Sequence, residues 1–233
     1  RLAYQLKITP EIFCLDVQSG VKLVRYIEGA ETLNNVTIQY VSHMEKVIAS
    51  LRILHTSGVR FNNDFNVFKE IQVYEELLSQ AKGWMYEGYS ELRSSIFTLA
   101  ERLNRLGIVL APCHNDLVAE NFVKNSNGHI YLIDWEYSGM NDPLWDLAAL
   151  FIESSFSEEN QQKALLLYYE DNIPTNVSQK ILIYQILMDV LWAIWTRIKE
   201  TRGDDFGNYG LMRFQRAIHN LEKLEVEYPI DKK

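Results

Sequence analysis

Cysteine is nearly absent from this chain: two thiols, Cys14 and Cys113, stand among 233 residues. That excludes a disulfide scaffold and fits a reducing compartment. Positive charge is also scarce, with 23 Lys and Arg against 31 Asp and Glu and a net charge of −8. A protein this acidic is a poor partner for the phosphate backbone of nucleic acid and attracts a cationic ligand. No signal peptide opens the chain, which starts Arg1-Leu2-Ala3-Tyr4 without an initiator Met. The most apolar run, Ile181 to Thr196, contains Gln185 and Asp189 and is short for a bilayer span. It reads as a buried helix of a soluble protein, so the expected placement is cytoplasmic, without membrane insertion. Internal repeats, low-complexity tracts and Pro/Gly-rich linkers are missing too. What remains is an ordinary globular composition, 47% hydrophobic and 23% charged, at a length for one large domain or one and a half.

Chemistry concentrates in two short stretches, Cys113-His114-Asn115-Asp116-Leu117-Val118-Ala119-Glu120-Asn121 and Ile133-Asp134-Trp135-Glu136-Tyr137. They give His-x-Asp, an Asn five residues past Asp116, and a second Asp thirteen residues past Asn121. That order suits phosphoryl transfer: one carboxylate orients and deprotonates a hydroxyl, while an amide and a second carboxylate hold Mg²⁺ on a nucleotide. The apolar runs Ile108 to Ala111 and His129 to Ile133 are short enough to be strands. Both acidic residues then leave strand ends on neighbouring loops, where their side chains can converge. A lone His-x-Asp would be an ordinary polar loop; two spaced motifs in strand contexts are harder to explain that way. Cys113 reads as a buried, inert thiol.

Elsewhere the pattern is of a hairpin followed by helices. Residues 1 to 30 read as strand material, with Glu11 to Asp16 and Val21 to Ile27 joined by the turn Val17-Gln18-Ser19-Gly20. Ile38, Val41, Met44, Val47, Ile48, Leu51 and Leu54 repeat at helical spacing within Thr37 to Thr56, and Gly58 stops that helix. Asp64 reads as the N-cap of a helix through about Gln80. Further helices are expected over Glu91 to Leu106, closed by Gly107, and over Glu158 to Tyr169, Gln179 to Lys199 and Tyr209 to Leu224. A frayed charged tail follows from Glu225.

The motif residues, with Asn141 and Asp146 beyond them and Trp192-Ala193-Ile194-Trp195, Tyr209 and Arg213 further on, resemble the choline/ethanolamine kinases. The resemblance covers roughly Cys14 to Leu224 and is nearest to bacterial choline kinases of the phosphorylcholine-incorporation type. This family lies within the aminoglycoside phosphotransferase and protein kinase-like group. It implies an α+β, protein kinase-like fold: a mainly helical large lobe with a small sheet over residues 31–233, and an incomplete small nucleotide-binding lobe and hinge over 1–30. It also implies transfer of phosphate from ATP to the hydroxyl of choline, giving phosphocholine. Asp116 would be the base and His114 a brace for its loop, with Asp146 holding that loop from below. Asn121 and Asp134 would bind Mg²⁺, and Arg25, Tyr26 and Ile27 would hold the nucleotide at the hinge. Glu153, Trp192, Trp195, Tyr209 and Glu136 would form the substrate site.

Trp192 and Trp195 fall on one helix face, and aromatic faces bind a quaternary ammonium by cation–π attraction. Two Trp on an apolar helix are otherwise core. The chain departs from the family in lacking a glycine-rich phosphate loop and a strand lysine ahead of the hairpin. The expectation is therefore of an amino-terminally shortened piece with weak or no activity by itself. Alternatives are a kinase for ethanolamine, an aminoglycoside or a sugar, and a non-catalytic kinase-like scaffold. An aminoglycoside site would need many carboxylates and few stacked rings. A scaffold would have no physical need for Asp116, Asn121 and Asp134 together.

Overall fold

Fifteen helices and strands occupy the described residues, 2–229 of the computed structural model. In chain order they are α1 (Leu2–Gln5), β1 (Ile12–Leu15), β2 (Lys22–Val24), β3 (Glu31–Thr32), α2 (Val41–His55), α3 (Val67–Gln80), α4 (Tyr89–Leu106) and β4 (Ala111–Cys113). They continue with β5 (Phe122–Lys124), β6 (Ile130–Leu132), β7 (Gly139–Asn141), α5 (Pro143–Glu153), α6 (Glu158–Tyr169), α7 (Val177–Glu200) and α8 (Tyr209–Glu227). Short 3-10 turns lie at Thr37–Gln39 and Ala119–Asn121. Packing separates two units: Arg1–Phe65 with Val109–Pro174, and Asn66–Ile108 with Thr175–Lys233. This division is drawn by internal packing, on a different line from a lobe boundary at residue 30.

The first unit is mixed. β1 and β2 pair antiparallel across the turn expected from Val17 to Gly20, with Leu15 opposite Lys22 and an irregularity between Ile12 and Cys14. A three-stranded sheet runs in the order β3-β5-β6, and β4 pairs with β7. Helix α2 follows from its apolar stripe, burying Met44, Val47, Ile48, Leu51 and Leu54, and it packs on β4, β6 and α6. At roughly 1.5–3 kcal/mol for each large apolar side chain, that stripe fixes the helix against the strands that carry the motifs.

The second unit is helical. Helix α7 is buried on nearly all sides and packs on α3, α4 and α8. It is long and apolar enough to cross a membrane by length and composition, yet 78% of its most apolar window is buried within the protein. It is the core helix of its unit, as its interrupting Asp189 and Gln185 suggest. Asp189 is buried and paired there, Arg213 Nε lying 3.0 Å and Arg216 Nη2 2.7 Å from its Oδ1.

Several expectations are corrected. Residues 2–5 are helical rather than strand. The cap of α3 is Asn66, whose Oδ1 accepts from the Phe68 and Lys69 amides at 3.1 and 3.2 Å; Asp64 instead forms a parallel bridge with Met140 and lies 3.6 Å from Arg60. The strand expected at Ile108 to Ala111 begins at Ala111, because only from there does the backbone pair with β7. Helix α5 was not expected at all. Asp142 caps it by accepting from the Leu144 amide, with Pro143 at its first turn. Every residue from Leu144 to Phe151 is buried, so no amphipathic period exists to betray it. Helix α8 continues to Glu227, past the expected end at Leu224.

Candidate active site

The His114-to-Asn121 loop leaves the end of β4 and is held by a carboxylate beneath it. Asp146, wholly buried on α5, accepts from the His114 amide (Oδ2, 2.8 Å) and the Asn115 amide (Oδ1, 2.8 Å). His55 Nε2 lies 3.0 Å from the same Oδ2, and His55 Nδ1 lies 2.8 Å from the Tyr168 hydroxyl. Trp145 Nε1 donates to the Asn115 carbonyl at 3.1 Å. Asn115 sits at φ +69°, a left-handed conformation that costs other side chains more than Asn. Its amide group donates to the Tyr137 carbonyl (3.0 Å) and accepts from Asn141 Nδ2 (2.9 Å), which ties the first motif to the second. The MgATP-type chemistry expected here thus rests on a backbone fixed by side chains from α2, α5, α6 and β7.

The second motif begins where β6 ends. Asp134 is exposed at φ +63°, directly after Ile133, whose amide donates to the Asn121 carbonyl at 2.9 Å. Asn121 is buried and its Nδ2 donates to the Asp116 carbonyl at 2.9 Å. The nitrogen of that amide is therefore engaged, and its oxygen is the atom left for a cation. An amide oxygen and a carboxylate on adjoining loops are a hard-oxygen donor pair of the kind Mg²⁺ takes. His114 Nε2 lies 2.8 Å from the Ile133 carbonyl, and its ring stands edge-on to Trp135 at 4.9 Å. Burial holds the His114 imidazole below its ordinary pKa, against the pull of Asp146.

Asp116 itself is poised. Burial first, then the charges of Glu153, Asp134, Glu136 and Asp146, push its pKa up to about 6. A carboxylate of that basicity is ionised at neutral pH and accepts a proton more readily than an ordinary surface Asp. The same list of charges places Glu153 and Glu136 in the electrostatic neighbourhood of Asp116. Cys113, immediately before the loop, is buried and its thiol is raised well above its usual value by that burial, as an inert thiol should be.

Arg25, Tyr26 and Ile27 come together on a cavity of about 330 Å³, lined also by Phe13, Asn125 and Tyr131. Arg25 lies over the Phe13 ring at 5.0 Å, and its Nε donates to Glu11 Oε2 at 2.9 Å. Tyr26 is largely exposed. The remaining expected residues, Trp192, Trp195 and Tyr209, belong to the second unit and are all partly buried. Trp192 and Trp195 meet edge to face at 5.5 Å, as their spacing on α7 requires. Two residues that brace this loop through Asp146 were not anticipated. His55 and Tyr168 carry no local signature: a lone His ends α2, and 91 residues separate it from Asp146.

Comparison with known proteins shows the family and the fold. The sequence pattern of choline/ethanolamine kinases matches residues 7–189. Protein LicA of Haemophilus influenzae strain Rd is 36% identical over 230 residues, 95% of this chain and 85% of that protein. The crystal structure of choline kinase LicA from Streptococcus pneumoniae, 41% identical, superposes on 95% of this chain and 78% of its own with a TM-score of 0.86. A LicA structure in complex with AMP is 39% identical, covering 96% of this chain and 76% of that one at a TM-score of 0.84. An aminoglycoside 2'-phosphotransferase at 14% identity and a TM-score of 0.59 shares the fold alone. The fold is thus the protein kinase-like α+β fold, and the chain belongs to the choline/ethanolamine kinase family.

Proposed function

We propose that the protein transfers the γ-phosphoryl group of ATP to the hydroxyl of choline, giving phosphocholine. The observation that carries this reading is the likeness, in sequence and in backbone, to a choline kinase over 95% of the chain. Asp116 accepts the proton of the substrate hydroxyl as the oxygen attacks phosphorus, a contribution typically worth 10²–10⁴-fold. Asn121 and Asp134 hold Mg²⁺, which when bound neutralises the charge on the phosphates. His114 braces the loop from beneath, and Asp146 fixes the direction in which Asp116 is presented. Arg25, Tyr26 and Ile27 receive the adenine end, on the small nucleotide-binding lobe at residues 1–30. The large lobe at 31–233 carries the rest.

The trimethylammonium group of choline has no N–H to donate, so rings and carboxylates suit it better than hydrogen-bond acceptors alone. Trp192, Trp195 and Tyr209 supply aromatic faces, and Glu153 and Glu136 supply negative charge around Asp116. A desolvated cation–π contact is worth on the order of 2 kcal/mol. The small, acidic, thiol-poor protein acts in the cytoplasm. A coupled assay of ADP release tests the reading with choline, ethanolamine and kanamycin as acceptors. Choline should give the highest kcat/KM; ADP release that ignores choline, or that favours kanamycin, would overturn it.

A further inference from the structure

Of the three rings proposed for the substrate, Trp192, Trp195 and Tyr209, two already carry a cation of the protein. Lys199 Nζ lies over Trp195, 5.3 Å from the ring centroid. The Arg213 guanidinium lies over Tyr209 at 5.3 Å. Arg213 is buried and locked by Asp189, whose Oδ1 is 3.0 Å from its Nε. Lys199 is partly exposed on α7, and among the described residues no carboxylate pairs with its ammonium. Trp192 of these three rings has no protein cation above it among the described residues; its ring contact is the perpendicular Trp195 at 5.5 Å. Phe206 adds a second perpendicular ring to Trp195 at 5.1 Å.

From this we infer that Lys199 sets the affinity for the cationic substrate by occupying a face of Trp195, which leaves Trp192 as the principal ring for the ammonium. The inference rests on the choline reading and refines its aromatic site. A π-system attracts a cation because both faces are negative. A cation on one face draws that electron density towards itself and repels a second cation brought to the other. With Nζ 5.3 Å from the centroid, a second cation on the other face stands roughly twice that far away, where the repulsion is partly screened yet persists at the effective dielectric of a protein surface. Lys199 sits one helical turn after Trp195 and two after Trp192, so its stem runs along the stripe that carries both indoles. Arg213 cannot play the same adjustable part, since Asp189 fixes it. Among the described residues the Lys199 ammonium meets the Trp195 ring and no carboxylate, so its charge can be removed with least disturbance.

The test is Lys199→Met, which keeps the apolar stem and deletes the charge, with Lys199→Arg as the charge-preserving control. Choline binding is read by tryptophan fluorescence and by KM. The uncharged isostere 3,3-dimethyl-1-butanol is titrated in parallel. Lys199→Met should tighten choline about two- to tenfold, leave the isostere and the KM for ATP unchanged, and Lys199→Arg should behave as wild type. Alongside, Trp192→Leu should weaken choline more than Trp195→Leu. Unchanged or weaker choline binding in Lys199→Met would overturn the inference, as would choline and the isostere shifting together, which marks packing rather than charge. Wild-type protein that phosphorylates choline while Lys199→Met is silent defeats only this inference. Wild-type protein that phosphorylates another acceptor but never choline defeats the function itself.

Discussion

The two units solve opposite problems. Of the seven described non-glycine residues at positive φ, Lys7, Asn115, Asp134, Ser155, Glu170 and Asp171 lie in the unit with the motifs, and Lys82 alone lies in the other. The motif unit builds its sheets from strands of two to four residues and fixes its loops with buried polar groups: His55, His114, Asn115, Asn121, Asp142 and Asp146. The helical unit puts almost all of α7 into an apolar core, with one buried carboxylate answered by two arginines. Strained backbone and buried polar networks hold loops in one geometry; apolar burial gives stability without choosing a chemistry. The residues proposed for catalysis therefore sit where the backbone is least typical.

That contrast can be broken most severely at Asp116. Asp116→Asn should lower kcat by about 10²–10⁴-fold and yet raise stability. The sign follows from its pKa of about 6, above the ordinary 3.8. The folded state holds the ionised form at a cost that is complete above about pH 6 and vanishes as pH falls to 3.8. Asn removes the cost, so thermal unfolding at pH 7 without Mg²⁺ should show a gain of roughly 1–2 kcal/mol, discounted for partial exposure. Equal or lower stability would mean that the carboxylate is better solvated than its surroundings indicate.

Next in size is a matched pair. Asp146→Ala orphans two buried amides and His55, costing about 3–5 kcal/mol, and should depress kcat in the molecules that remain folded. Leu187→Ala, fully buried on α7, should cost about 2–5 kcal/mol and leave the kcat of folded molecules alone. Denaturant titration with active-site-normalised turnover separates the two, and equal kcat losses would erase the distinction between the units. Smaller still is Trp192→Ala, expected to raise the choline KM about tenfold, near 1.4 kcal/mol, with ATP unaffected. A parallel loss for both substrates would mark Trp192 as core. Smallest is Glu153→Gln. Glu153 is the leading charge that raises Asp116, so its removal should shift the acid limb of the kcat/KM profile to lower pH. A limb that stays in place would dissociate the two carboxylates.

The sequence was most legible where the structure depends on near neighbours. The apolar stripe of α2 and the length of α7 gave those helices, and the turn at Val17 to Gly20 gave the hairpin. Asp116, Asn121 and Asp134 could be read together because their order along the chain is itself the motif. The misses share a cause. Strands β3, β5 and β7 are two or three residues long and exist only by pairing with partners far along the chain. Helix α5 lacked a polar face, although Asp142-Pro143 marks its start in the manner of a cap followed by a first-turn proline. Asp64 and Asn66 are both capable caps; the backbone of residues 63–65 is taken up by pairing with Met140, so the helix starts after Asn66. His55 could not be found because its partner, Asp146, is near only in space.

The most direct measurement follows phosphorus itself. ³¹P NMR of the enzyme with Mg·ATP and choline should show the phosphocholine resonance rising as the γ-phosphate falls, with Asp116→Asn slower by at least about a hundredfold under the same conditions. ATP consumption that yields only inorganic phosphate, or phosphocholine formed at an undiminished rate by Asp116→Asn, would contradict the account.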